Sequence, residues 1–250
     1  MTTILKLGGS IITHKDRPET VDRETVDRVV ETIAGRADST VGDLVVVHGG
    51  GSFGHHHAAA HGVSSTDGTS DVTALTEIHA AMTELNDAIV DAFQDHDIPA
   101  LPVRPLSVAH RDASGTLTLP AGQIATMLGE GFVPVVHGDV VAHVTAGGTI
   151  LSGDDIVVSL AESLDARRVG LCSTVPGVLD NDGAVVPEIE TFEDVADSLG
   201  GSDATDVTGG MAGKVRALLD LETPASIFDP GELDAFLEGA SVGTVVRGTR

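Results

Sequence analysis

Short apolar runs that stop on glycine restrict the fold of this chain more than any other feature. Ile4–Leu7 runs into Gly8-Gly9-Ser10, Leu44–Val47 into His48-Gly49-Gly50-Gly51, and Phe132–Val136 into His137-Gly138-Asp139. Apolar runs without polar alternation belong to strands buried on both faces, which need helices on both sides of a mostly parallel sheet. The intervening segments have helical spacing. Asp22–Arg36 places Val26, Val29, Val30 and Ile33 on one stripe, and a helix from about Val72 to Phe93 places Leu75, Ile78, Met82, Leu85 and Ile89 on one face. Leu101–Val103, Val169–Cys172, Thr223–Phe228 and Val242–Val246 read as further strands. Asp154–Ser163, Thr208–Leu221 and an acidic segment at 230–238 read as helices. Turn residues between β-prone runs predict hairpins around 110–118 and 139–151. The alternation predicts an α/β protein, an open αβα sandwich on a largely parallel central sheet, with residues 1–250 forming one domain. The Ser/Thr/Asp/Gly stretch 62–71 is the expected mobile loop over a site.

Composition enters through charge. Asp and Glu total 38 against 14 Lys and Arg, a formal net charge of −24. Such a surface repels nucleic acid and anionic membranes, so neither is an expected partner. The repulsion is tolerable where molar salt screens it over about 3 Å, and the acidic excess with many small residues resembles proteins of salt-loving microbes. No apolar run approaches the ~20 residues that cross a bilayer, and the start MTTILKLGGS is not a secretory signal. The one cysteine, Cys172, allows no internal disulfide and agrees with a reducing interior, so a cytoplasmic location is expected. Lysine is nearly excluded: only Lys6, Lys15 and Lys214 occur, each in or beside a glycine-rich segment. Three such lysines are expected to grip anions.

Glycine turns at strand ends let backbone N–H groups approach phosphate oxygens, and a following helix N-terminus adds positive potential. Gly8-Gly9, Gly49-Gly50-Gly51, Gly138 and Gly209-Gly210, two of them near lysines, together suggest a polyphosphate site. Rival motifs are incomplete. Gly49–Gly54 matches G-x-G-x-x-G, but no acidic residue ends a next strand ~20 residues on. The same stretch mimics both loops of an α/β-hydrolase, which in those enzymes are separate. Gly213-Lys214 is followed by Val215, so no Walker motif is present. His55, His56, His57 and His61 invite a metal reading, and His57 and His61 would share a helical face. No third ligand with convincing spacing follows, so no metal site is expected and the cluster reads as solvated histidines in a glycine-rich turn.

Six segments in this order are specific in combination: KLGGS (Lys6–Ser10) with Lys15 beyond it, HGGGSFGH (His48–His55), HGD (His137–Asp139), LSGDD (Leu151–Asp155), STVPGV (Ser173–Val178) and TGGMAGK (Thr208–Lys214). Over essentially the whole chain they resemble the amino acid kinase superfamily, and within it the isopentenyl phosphate kinase branch. The resemblance implies transfer of the γ-phosphoryl group of ATP, bound as its Mg2+ complex, to isopentenyl phosphate, giving isopentenyl diphosphate for isoprenoid biosynthesis. It implies an acceptor-binding lobe over about 1–165, a nucleotide-binding lobe over about 166–250, and a homodimer. Lys6 and Lys214 would grip the β- and γ-phosphates, with Asp154 orienting both ammonium groups, and Lys15 would touch the phosphoryl group in transfer. Gly8, Gly9, Ser10, Gly51, Thr174, Pro176, Gly177, Gly209 and Gly210 would contact the nucleotide. Gly49, Gly50, Gly54, Gly138 and His55 would hold the acceptor phosphate. Ile78, Met82 and Leu85, with Phe53 and Val136 nearby, would wall the apolar tail. Many relatives carry T-D-V-x-G where this chain has Ser173-Thr174-Val175-Pro176-Gly177, a departure in the nucleotide segment. Rival readings are a phosphonate kinase, a nucleoside monophosphate kinase and a non-catalytic nucleotide sensor.

Overall fold

The structure is a computed structural model that describes residues 1–36, 41–199 and 210–248. In chain order its strands are β1 (Thr3–Leu7), β2 (Leu44–His48), β3 (Ala100–Val103), β4 (His110–Arg111), β5 (Leu117–Thr118), β6 (Val133–His137), β7 (Asp139–His143), β8 (Gly147–Leu151), β9 (Arg168–Cys172), β10 (Glu188–Ile189), β11 (Ala225–Phe228) and β12 (Thr244–Val246). The helices are α1 (Gly9–Ile12), α2 (Arg23–Ala34), α3 (Gly51–His61), α4 (Val72–Asp95), α5 (Gly122–Gly129), α6 (Gly153–Ser163), α7 (Ala196–Leu199), α8 (Gly210–Leu219) and α9 (Leu233–Leu237).

Eight strands form the central sheet in the order β10-β12-β11-β9-β1-β2-β6-β3. From β3 to β11 every neighbour is parallel; β12 runs antiparallel to β11 and pairs parallel with β10 at the edge. Alternate residues of a strand feed opposite cores, as the two-residue period of a strand requires. Ile4, Val45, Val47 and Val169 pack with α6 and α8 through Ile156, Val157, Leu160, Val215 and Leu218. Leu5, Leu7, Leu44 and Val46 pack on the other side with α2 and α4 through Val29, Ile33, Leu85, Ile89 and Phe93. The αβα sandwich expected from the apolar runs is therefore present. Asp22 and Asp71 start α2 and α4 by accepting from the backbone N–H groups of Thr25 and Thr73. Among the described residues no helix is long and apolar enough to cross a membrane.

The two expected hairpins exist, but they join. β7 pairs antiparallel with β8, β4 with β5, and the parallel pairing of β4 with β7 makes one four-stranded sheet, β5-β4-β7-β8. The segment expected to be a loop over a site is instead stapled to β8: Thr69 and Gly148 exchange backbone hydrogen bonds, and Ile150 donates to the Ser64 carbonyl. The histidine-rich segment read as a turn is the helix α3, ended by Gly62 with φ 64°.

Candidate active site

The four central strands β9, β1, β2 and β6 end level with one another, with Leu7 beside both His48 and Cys172, and His48 beside His137. The carboxyl ends of adjacent parallel strands are where an open α/β sheet collects ligands. A cavity of about 150 Å³ opens there, lined by the four strand-end turns: Gly8–Ser10, Gly49–Gly51, Gly138-Asp139 and Ser173-Thr174. Two of these turns interlock. A Cβ on Gly9 would stand 2.2 Å from the backbone nitrogen of Gly51, and Gly51 itself has φ 48° with Thr13 Oγ1 where a side chain would go. Glycine is needed at this contact for space as well as for backbone conformation. α3 then starts with no acidic residue in its first turn; the Ser52 N–H donates to Thr13 Oγ1 and the Phe53 and Gly54 N–H groups to the Gly50 carbonyl, so what this end offers an anion is chiefly the positive end of the helix dipole.

Lys6 and Asp154 form the charged part of the cavity. Lys6 Nζ lies 2.6 Å from Asp154 Oδ1, and both groups are nearly sheltered from solvent. Asp154 comes from the first turn of α6, where Ser152 and Asp155 close a capping box between themselves. Asp155 also takes Arg111 at 2.9 Å, which leaves Asp154 to Lys6. Gly153 makes room for the lysine stem, since a Cβ there would meet Lys6 Cε at 3.0 Å. Burial pushes the Lys6 ammonium below its ordinary pKa, Asp154 opposes this, and the positive charge of Lys214 reinforces it. Burial would raise the Asp154 carboxyl, but Lys6 and Lys214 outweigh it and hold that carboxyl below the usual range. Lys214, from α8, lines the same cavity.

A second part of the lining is apolar: Ala58 of α3, Ile78 and Met82 of α4, and Ile150 of β8. Ala58, Ile78 and Ile150 form, with Val63, Leu75 and Val140, a small apolar cluster apart from the two main cores. His55, on the exposed first turns of α3, lines the cavity with them. Beneath lies a buried polar floor. His48 Nε2 is 3.0 Å from Asn86 Oδ1, and its ring stacks on that of His137. Burial and the neighbouring His137 push the His48 pKa down to about 4. Burial likewise lowers His137. Asp139, buried yet lining the cavity, accepts from His79 Nδ1 at 2.9 Å and from the Val140 N–H at 2.8 Å, and the bond to Asp139 raises the His79 pKa.

The structure thus gathers Lys6, Lys214, Asp154, His55, Thr174, Gly8, Gly9, Ser10, Gly49, Gly50, Gly51, Gly54, Gly138, Ile78 and Met82 around one cavity. It does not gather all the residues expected there. Lys15 is exposed on the turn 14–20, outside the lining. Gly177 is buried against Thr244 and Val185, where a Cβ would come within 2.7 Å of each, so its smallness serves packing. Leu85, Phe53 and Val136 belong to the main cores. Gly210 starts α8 with φ 59° but does not line the cavity, and Gly209 lies outside the described residues. Sequence reasoning passed over Asp139, Ser152, Ala58 and Ile150 as lining. Asp139 and Ser152 sat inside quoted motifs; Ala58 follows from Gly54 and His55 once that segment is a helix.

The sequence matches the amino acid kinase family over residues 1–226. It is 60% identical over 245 residues to the isopentenyl phosphate kinase of Haloferax volcanii, covering 98% of each chain. It is 36% identical over 226 residues to the isopentenyl phosphate kinase of Methanocaldococcus jannaschii, covering 86% of this chain and 85% of that one. A solved isopentenyl phosphate kinase superposes with a TM-score of 0.85 at 28% identity, over 98% of this chain and the whole of that one.

Proposed function

This chain belongs to the amino acid kinase family, and on that premise we propose that its cavity transfers the γ-phosphoryl group of ATP to isopentenyl phosphate, giving isopentenyl diphosphate and ADP. The observation that carries the reading is the two-part lining, with Lys6, Asp154 and Lys214 beside Ala58, Ile78, Met82 and Ile150, and His55 among them. A small anion with an apolar tail matches both parts.

An oxygen of the acceptor phosphate attacks the γ-phosphorus while the bond from that phosphorus to the ADP oxygen breaks. The acceptor carries about −1.5 to −2 charge near neutrality, so no base is needed to make the nucleophile. The demand is to bring two anions together in line. Lys6 and Lys214 are assigned the β- and γ-phosphate oxygens, with Asp154 fixing their positions. His55 and the N-terminal end of α3, through its dipole, are assigned the acceptor phosphate. Lys15 is assigned the group in flight; its turn hangs from the start of α3, where Ser52 accepts from the Glu19 and Thr20 N–H groups, and from its exposed position the flexible lysine stem would have to swing toward the cavity to act.

Magnesium fits as a companion of the nucleotide. Among the described residues the lining carboxylates are Asp139 and Asp154, already held by His79 and Lys6, so phosphate oxygens and water would supply most ligands. When bound it neutralises charge across the β- and γ-phosphates. Thr174 and Lys214 come from the C-terminal part and His55, Ile78 and Met82 from the N-terminal part, which supports nucleotide binding by about 166–250 and acceptor binding by about 1–165. The proposal extends to a salt-rich cytoplasm, supported by the net charge of −24 and the single cysteine, and to a homodimer, which rests on membership of the family alone. The test is His55→Ala. Turnover of isopentenyl phosphate should fall about 10²-fold or more while ATP affinity stays within a few-fold. Normal turnover in that variant contradicts the acceptor assignment.

A further inference from the structure

α3 carries a second constellation on a different face. His57 follows the cavity-lining His55 by two residues and therefore lies about 200° around the helix from it. His61 stands one turn beyond His57, and Glu77 faces both from the adjacent α4. A ring nitrogen of His57, a ring nitrogen of His61 and a carboxylate oxygen of Glu77 all lie within 4.8 Å of one another. His61 Nε2 is 2.7 Å from Glu77 Oε2, and His57 Nε2 is 2.7 Å from Glu19 Oε1. Glu19 belongs to the turn that bears Lys15, where its backbone has φ 48°, a conformation few L-residues adopt.

We propose that His57, His61 and Glu77, with water completing the coordination, bind a divalent transition cation of the zinc type. Two imidazoles one helical turn apart with a carboxylate from another segment form a donor set that suits zinc. Imidazole nitrogens disfavour magnesium and calcium, which take oxygen ligands. Tetrahedral ligation with bonds of about 2.0–2.2 Å needs donors about 3.3 Å apart. Closing the remaining gap would fall mainly to Glu77, whose side chain is 49% exposed against 21% and 25% for His57 and His61. The bare alternative is a pair of His–Glu contacts, each between one imidazole and one carboxylate. That alternative does not require three donors from His57, His61 and Glu77 to lie all within 4.8 Å of one another, as they do.

The site stands on its own geometry, independent of the kinase assignment. A bound ion would tie the helix that carries His55 to the helix that carries Ile78 and Met82. Sequence spacing pairs His57 with His61 but does not reveal Glu77, because only the packing of α3 on α4 brings it across.

The experiment uses the full chain, stripped with chelator and dialysed into molar KCl. It is titrated with Zn2+ by calorimetry and with Co2+ by visible absorption. One saturable site is expected, with a dissociation constant on the order of micromolar or tighter. A Co2+ ligand-field spectrum should accompany it. Both signals should vanish in His57→Ala/His61→Ala and weaken about 10-fold or more in Glu77→Gln. Both should persist in His56→Ala. If the double variant does not fold, as judged by circular dichroism, the Glu77→Gln titration decides alone. Absence of saturable binding up to about millimolar Zn2+, far weaker than such donor sets give, overturns the proposal. So does binding that is unchanged by these substitutions.

Discussion

At the scale of single residues the protein rests on one sheltered contact, Lys6 with Asp154 at 2.6 Å. Removing one partner of a sheltered ion pair costs about 3–5 kcal/mol, because the other charge is left without compensation. Asp154→Asn should therefore lower both stability and turnover. Lys6→Met/Asp154→Asn should recover much of the stability and none of the turnover; denaturant titration beside an ADP-release assay reads the two apart. Lys6→Met alone should lower kcat/KM about 10²–10³-fold, the usual cost of losing one charge-stabilising donor. Because burial lowers the Lys6 pKa in the free enzyme, the alkaline limb of kcat/KM should fall below pH 10.5, an ordinary lysine value. A limb at or above that value would show that Lys6 is not the titrating group. Ile150 gives an apolar counterpart: it lines the cavity but is only half-buried, so Ile150→Ala should raise the acceptor KM about 5–10-fold, with little effect on ATP, through lost apolar contact.

At the scale of elements, the strand-end turns decide the architecture. Gly9 and Gly51 touch backbone to backbone, so Gly9→Ala must push β1 and β2 apart at their carboxyl ends. It should cost about 3 kcal/mol or more and lower the thermal midpoint accordingly. The stacked pair His48 and His137, at paired positions on β2 and β6, predicts the acid response. Unfolded histidine takes a proton near pH 6.5, whereas His48 in the fold resists until about 4. The unfolded state then binds more protons between these values, so this stability is complete above 6.5 and is lost as pH falls towards 4. The loss is on the order of 3 kcal/mol. His137 adds in the same direction, and His79, whose raised pKa favours the fold at low pH, offsets part of it. Urea midpoints between pH 7 and 5 should slope less in His48→Gln than in the parent; parallel slopes would exclude His48 as the source.

These elements also mark what the sequence could disclose. Strands buried on both faces are legible because apolar runs have few other uses, and α2 and α4 because a four-residue stripe survives in any context. α3 was not legible as a helix: Gly51-Ser52-Phe53-Gly54 lacks helix-forming residues, and packing on α4 rather than propensity holds it. Contacts between distant segments leave no local signal. That is why Gly177 reads like a ligand glycine but packs on Thr244, and why Glu77 opposite His57 and His61 went unseen.

At the scale of the whole molecule the acidic charge sets the working conditions. With a formal net charge of −24, self-repulsion opposes the compact state, and salt relieves it as the screening length shrinks from about 10 Å at 0.1 M to about 3 Å at 1 M. The thermal midpoint should rise steadily with KCl, and a midpoint independent of salt would contradict this. Against that charge the cavity sets Lys6 and Lys214 beside only two lining carboxylates, Asp139 and Asp154, among the described residues, so repulsion of an anion is relieved there. The most direct test of the account is to supply ATP in molar KCl with isopentenyl phosphate, fosfomycin, UMP or N-acetylglutamate as sole acceptor, and to follow ADP release and the phosphorylated product by mass spectrometry. The account predicts turnover with isopentenyl phosphate far above the others, and isopentenyl diphosphate as product. Turnover confined to the carboxylate acceptor, or ATP bound with no transfer to any of the four, would contradict it.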